Sequence, residues 1–324
     1  MQGQLSEDST GRVRKVTTRS TALVGIAVVL GSVAAGCSSS TASDPAPGTG
    51  QANGLIAYNS DVSGQVDVWV ANPDGSGKRR LTRGSEARQP SWSPDGQQIV
   101  FVRRRGEESS DLYVINVDGS HQRRLTSDTE LEDAPSWSPD GSSIAFSRGS
   151  CDPKCDIYVV RSDGTGAHRL TTTGSGFYPD WSPDSTKIAY STTVADPNTG
   201  SDRFDISILN ADGTGAHTLT SDLAGNSVWP SWSPDGRTIL FAYHEDESVC
   251  SDCILTLAFI SPDGSHVRHL DTGTCCPSEP VWSPDGKQIA FQNQQTIRVI
   301  KASGGSSQHV AFDGENHNPS WAPR

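Results

Sequence analysis

Seven cysteines are the first residues in this 324-residue chain that could do chemistry. Cys250-Ser-Asp-Cys253 has the CxxC spacing of a dithiol, and Cys275-Cys276 follows a short way on. Four thiolates are a conceivable zinc set, but two adjacent cysteines chelate a tetrahedron poorly. Redox catalysis would need a thioredoxin-like setting around the pair. Disulfides are the first reading instead, bridging the loops that carry Cys250, Cys253, Cys275 and Cys276. A CxxC bridge with a vicinal Cys275–Cys276 bridge comes second. Cys151 and Cys155 flank Asp-Pro-Lys and can pair locally. No metal is expected: His121, His168, His217 and His266 recur too far apart to converge, and no HExxH occurs. The acidic runs (Asp128, Glu130, Glu132, Asp133 and Glu245, Asp246, Glu247) lack the alternating spacing of a calcium loop and read as solvated surface. No triad spacing is visible, so no catalytic residue is assigned and no cofactor is implied.

Cys37 stands apart. Arg12, Arg14, Lys15 and Arg19 precede an apolar run from Thr21 to Ala35, too short to span a bilayer as a mature helix. Such a basic stretch, short apolar run and small residues read as a secretory signal. The run ends Val33-Ala34-Ala35-Gly36-Cys37, which resembles the lipobox of bacterial lipoproteins. That resemblance implies cleavage before Cys37 and acylation of it, with palmitate-type chains as a membrane anchor. Ala34 stands where that family favours Leu, so ordinary secretion with a spare thiol is the alternative. Six cysteines then remain, an even set suited to an oxidising compartment. Residues 38–53 are rich in Ser, Thr, Gly and Pro and read as a flexible tether. The leader carries four basic and two acidic residues, so its removal takes the formal charge from −12 to −14. An acidic chain of this kind is unsuited to nucleic acid, which needs a basic face.

The elements that position everything else come from one repeat. WSPD begins at Trp92, Trp137, Trp181, Trp232 and Trp282, with a shortened WAPR at Trp321. Between them lie Asp74-Gly75, Asp118-Gly119, Asp163-Gly164, Asp212-Gly213 and Asp263-Gly264, degenerating to Gly304-Gly305. Each unit reads as four short strands. In one unit they are Pro90 to Ser93, Ile99 to Val102, Asp111 to Ile115, and the stretch around Arg124-Leu125-Thr126. Ser-Pro-Asp-Gly supplies the first turn, with Gly in the left-handed position. Ser185 replaces that Gly once, and left-handed strain is expected there. Repeats of this length match propeller blades. The repeat starts midway at Leu55 to Tyr58, in a second strand, and stops in a first strand around Trp321. We therefore expect an all-β, six-bladed propeller of four-stranded antiparallel blades over residues 54–324, closed by pairing of its N- and C-terminal strands. Residues 1–36 are the signal and 37–53 the tether.

The pattern PxWSPDGxxIxF…DxYVxxxDGxxxxRLT resembles the WD40-like β-propeller repeat of the TolB family. The resemblance implies that fold, here without the family's additional N-terminal domain. Similar propellers also accompany serine peptidase domains, but no GxSxG is present. Residues just before each first-strand Pro should ring the channel mouth on the face where loops vary. Candidate binding residues there are Arg88, Gln89, Asp133, Phe177, Tyr178, Trp229, Glu279, His317 and Asn318. The aromatics could hold a peptide or a sugar ring, or merely plug the channel. The functional expectation is a protein-binding or scaffolding module of the cell envelope, extracytoplasmic and lipid-anchored, with an envelope protein or peptide as partner. The alternatives are an enzyme acting on carbohydrate or peptide at the channel mouth, and a purely structural subunit of an envelope complex.

Overall fold

The computed structural model describes residues 54–106, 109–150, 154–195, 202–244, 255–311 and 313–323. The expected signal, tether and Cys37 lie outside the described residues. Among the described residues every regular element is a β-strand, and no helix is long and apolar enough to cross a membrane. Twenty-four strands form six four-stranded antiparallel sheets. In blade 2 they run Ala87–Trp92, Gln98–Arg104, Ser110–Asn116 and Arg123–Arg124, from the channel outwards. Blade 1 combines both ends of the fold: Asn316–Trp321 pairs with Ile56–Ser60, setting Ile56 opposite Trp321. The ring is closed as the repeat phase requires.

Packing between blades comes from the repeated aromatic and aliphatic positions. Six buried apolar clusters form, one at each blade-to-blade interface. Trp92, Ile99 and Phe101 of blade 2 pack against Val68, Val70 and Ala322 of blade 1. The indoles add direction, since Trp92 Nε1 donates to Ser320 O (3.1 Å) and Trp181 Nε1 to Ser136 O (3.2 Å) of the preceding blade. Trp69 and Trp321 share the cluster between blades 6 and 1.

The repeated Asp and Thr form a clamp inside a blade. Asp67 accepts from Thr82 Oγ1 (2.8 Å), Asp156 from Thr171 Oγ1 (2.7 Å) and Asp205 from Thr220 Oγ1 (2.8 Å). The same hydroxyls accept from Val68 N, Ile157 N and Ile206 N. Strand three is thereby tied to the second residue after strand four, where a two-residue strand gives little ladder of its own. Ser185 takes a φ of 59°, as Gly96 does at 68° in the equivalent turn.

One boundary departs from expectation in a way that shapes the site. The inner strand of blade 2 begins at Ala87, three residues before Pro90. Arg88 pairs with Val102 and Ser91 with Val100, so Gln89 and Pro90 together oppose Phe101. Proline cannot donate to a ladder, and the bulge accommodates it. All six inner strands carry this register shift.

Candidate functional site

Each bulge turns the residue before proline to positive φ. The six are Gln89, Ala134, Tyr178, Trp229, Glu279 and Asn318, with φ between 49° and 56°, and none is glycine. Non-glycine residues occupy that region at a cost of about 1–2 kcal/mol each. The sites converge on one cavity along the channel, with a volume of about 150 Å³. Its wall has three layers: the six positive-φ residues, the six prolines that follow, and Ser91, Ser136, Asp180, Ser231, Val281 and Ser320.

Of the candidate residues, Gln89, Tyr178, Trp229, Glu279 and Asn318 line this cavity. Arg88, Asp133, Phe177 and His317 precede four of the positive-φ positions on the same strands and are half-buried. The aromatics form a continuous arc. Tyr178 and Trp229 have ring centroids 5.8 Å apart, Phe177 lies 6.5 Å from Tyr178, and Phe204 meets Phe177 edge-on at 5.9 Å. Phe204 was not among the candidates from sequence. It reaches the arc on the long third strand Asp202–Asn210 of blade 4, one residue before the clamp Asp205. That neighbouring Asp was the available signal.

The polar ring residues are largely engaged with one another. Glu279 accepts from Asn318 N (2.6 Å) and Asn318 Nδ2 (2.7 Å), and Gln89 Oε1 accepts from Ala134 N (2.9 Å). Burial raises the Glu279 carboxyl to about 7, against its hydrogen bonds from Asn318 and with help from the nearby Asp133 charge. Asp133 is raised to about 6 by burial, opposed by Arg104 and Arg88. Asp180 rises to about 6 for the same first reason, though Trp232 N and Ser136 Oγ donate to it. Burial pushes the Tyr178 phenol up and the His317 imidazole down.

Elsewhere two expectations change or fall away. Glu132 is not solvated surface but fully buried. It accepts from Leu112 N (3.1 Å) and from Thr126 Oγ1 and pairs with Arg148 (3.2 Å), while burial raises it to about 7. From blade 3 it takes the blade 2 hydroxyl, Thr126, that a clamp Asp of the same blade takes in blades 1, 3 and 4, and Asp111 pairs with Arg105 and Arg124 instead. Glu245, Asp246 and Glu247 lie outside the described residues, as do Cys151, Cys250 and Cys253. Cys155 is buried and disulfide-bonded, whereas Cys275, expected in a bridge, is an exposed free thiol. The four recurring histidines are exposed, spread over four blades.

A larger cavity of about 660 Å³ is lined by Arg148, Asp156, Tyr158 and Arg169, whereas the channel is narrow. A cavity of about 150 Å³ is well below the roughly 300–1,000 Å³ of small-molecule sites. Outside the mouth, Val62 and Val267 are the exposed large hydrophobics among the described residues, and they form no apolar patch.

The family model described as the TolB beta propeller domain matches residues 85–270. A curated relative, the Tol-Pal system protein TolB of Rhizorhabdus wittichii, is 45% identical over 42 residues, 13% of this chain and 10% of that protein. The match thus spans about a tenth of that relative's length. TolB from Acinetobacter baumannii superposes with a TM-score of 0.70 at 20% identity, covering 84% of this chain and 67% of that one. A putative TolB from Agrobacterium tumefaciens gives 0.63 at 21% identity, over 84% and 94%. A chain of a nidogen/laminin complex gives 0.66 at 10% identity, over 83% and 98%. At these identities the structural likeness is one of fold.

Proposed function

The chain belongs to the TolB beta propeller domain family, and from that premise we propose that it is a protein-binding module of the cell envelope. Its channel mouth takes a segment of an envelope protein or peptide. The observation that carries this reading is the half-buried arc of Phe204, Phe177, Tyr178 and Trp229, set over a cavity too small for an ordinary substrate. Rigid aromatics with partly exposed faces supply contact area at low entropic cost. The name of the Rhizorhabdus relative puts that protein in a Tol-Pal system, and a protein partner is carried over from it as part of the proposal.

In this reading the protein is extracytoplasmic. Acyl chains on Cys37 hold it to the membrane, and residues 38–53 let the disc reach its partner. Cys155, which is disulfide-bonded, pairs with Cys151 across the loop they flank. Mass spectrometry of the mature N-terminus tests the anchor, and a residue retained ahead of Cys37 would refute it. A pulldown from envelope extract tests the binding role. Specific capture should be lost in Tyr178→Ala with Trp229→Ala. Capture unchanged by that pair of substitutions would move the interface away from the mouth.

A further inference from the structure

The six backbone N–H groups at the bulges are not satisfied alike. In each blade the residue opposite the one before the bulge points at the next blade. These six are Asn59, Val102, Ser147, Ser191, Ala242 and Gln292. Three of them accept from the next bulge: Asn59 Oδ1 from Gln89 N (3.2 Å), Ser147 Oγ from Tyr178 N (3.1 Å) and Ser191 Oγ from Trp229 N (3.1 Å). After Val102 and Gln292 the preceding ring residue acts instead, Gln89 for Ala134 N and Glu279 for Asn318 N. Both of those side chains line the cavity, so a bulge N–H can be reached from the channel.

At the sixth joint both routes fail. Ala242 has no acceptor, and the preceding ring residue is Trp229, whose indole can only donate. Trp229 leans on Tyr178, its neighbour on the far side from Glu279. Among the described residues no side chain accepts from Glu279 N–H. A main-chain N–H at the channel wall that no side chain satisfies is open to an acceptor entering from the channel.

We propose that the Trp229–Glu279 joint is an acceptor-binding subsite, where a main-chain carbonyl of an extended partner segment takes the Glu279 N–H while its side chain lies on Trp229. The acceptor is a neutral amide, since a carboxylate would face Glu279, Asp133 and Asp180. This deepens the channel-mouth reading and rests on it, but it is tested on the purified full chain without the partner.

Amide exchange and ¹⁵N-resolved NMR read it directly. In the wild type, Glu279 N–H should exchange about tenfold faster than the bulge amides of Gln89, Tyr178, Trp229 and Asn318. N-methylacetamide, used as the probe, should shift the Glu279 amide resonance, and acetate should not. Ala242→Ser adds a hydroxyl where Ser147 and Ser191 carry theirs, so it should slow exchange at Glu279 and abolish the shift. A Glu279 amide as protected as the other four would overturn the proposal even if the variant failed to fold. So would an N-methylacetamide shift that survives Ala242→Ser, or one that acetate reproduces. Those failures leave the pulldown at the mouth untouched, whereas loss of the pulldown result removes the reading on which this subsite rests.

Discussion

Ala134 holds a φ of 50° with only a methyl group to show for it. Glycine adopts that conformation without the Cβ penalty, so Ala134→Gly should raise stability by about 0.5–1 kcal/mol in thermal melts. A loss of stability would mean that the methyl packs usefully. The buried carboxyls give a pH signature. Glu279 and Glu132 rise to about 7 and Asp133 and Asp180 to about 6, so the folded chain binds more protons than the unfolded one between about pH 4.5 and 7. Their contribution is therefore greatest at low pH and is lost as pH rises through those values. Denaturant titrations should show stability falling from pH 5 to pH 8. Glu279→Gln should remove about 1–3 kcal/mol of that fall, and an unchanged pH profile would refute the assignment. At this scale the ring positions were legible, because each precedes a repeated proline. Their engagement was not: whether Gln89 or Glu279 is committed depends on the residue that the neighbouring second strand turns toward the next blade, Val102 or Gln292.

The clamp that ties strand three to the loop after strand four makes its own prediction. Asp67 is fully buried and accepts from Thr82 Oγ1, Gly84 N (3.2 Å), Ser85 Oγ (3.3 Å) and Arg80 Nη2 (2.5 Å). Asp67→Ala strands those donors, and chemical denaturation should report a loss of about 3–5 kcal/mol. A loss below about 1 kcal/mol would show that the clamp is ornamental. The repeat displayed this Asp and Thr plainly, yet periodicity alone gave no reason for them, since they meet only when the two-residue fourth strand turns back. Glu132 was misread for a related cause. Its neighbours in sequence are acidic and polar, but as the first residue of an inner strand it points into the seam between blades 2 and 3.

For the molecule as a whole, closure rests on the pairing of Asn316–Trp321 with Ile56–Ser60. Deleting residues 316–324 also removes Trp321 from the cluster between blades 6 and 1 and exposes a strand edge. Calorimetry of that deletion should show the single cooperative transition replaced by a broad, weaker one, and an unaltered melt would contradict the closure argument. Blade number, strand order and closure were all legible, because a motif repeated in phase reports its fold many times over. The partner is written nowhere in a repeat, since it concerns only the residues that break the symmetry, such as Phe177, Tyr178, Trp229 and Phe204. A photo-crosslinking residue at Phe177, compared in intact cells with one at His121 on the opposite face, tests the central claim most directly. The account predicts a specific adduct with one envelope protein from position 177 and not from 121. The same adduct from both positions, or from 121 alone, would contradict it.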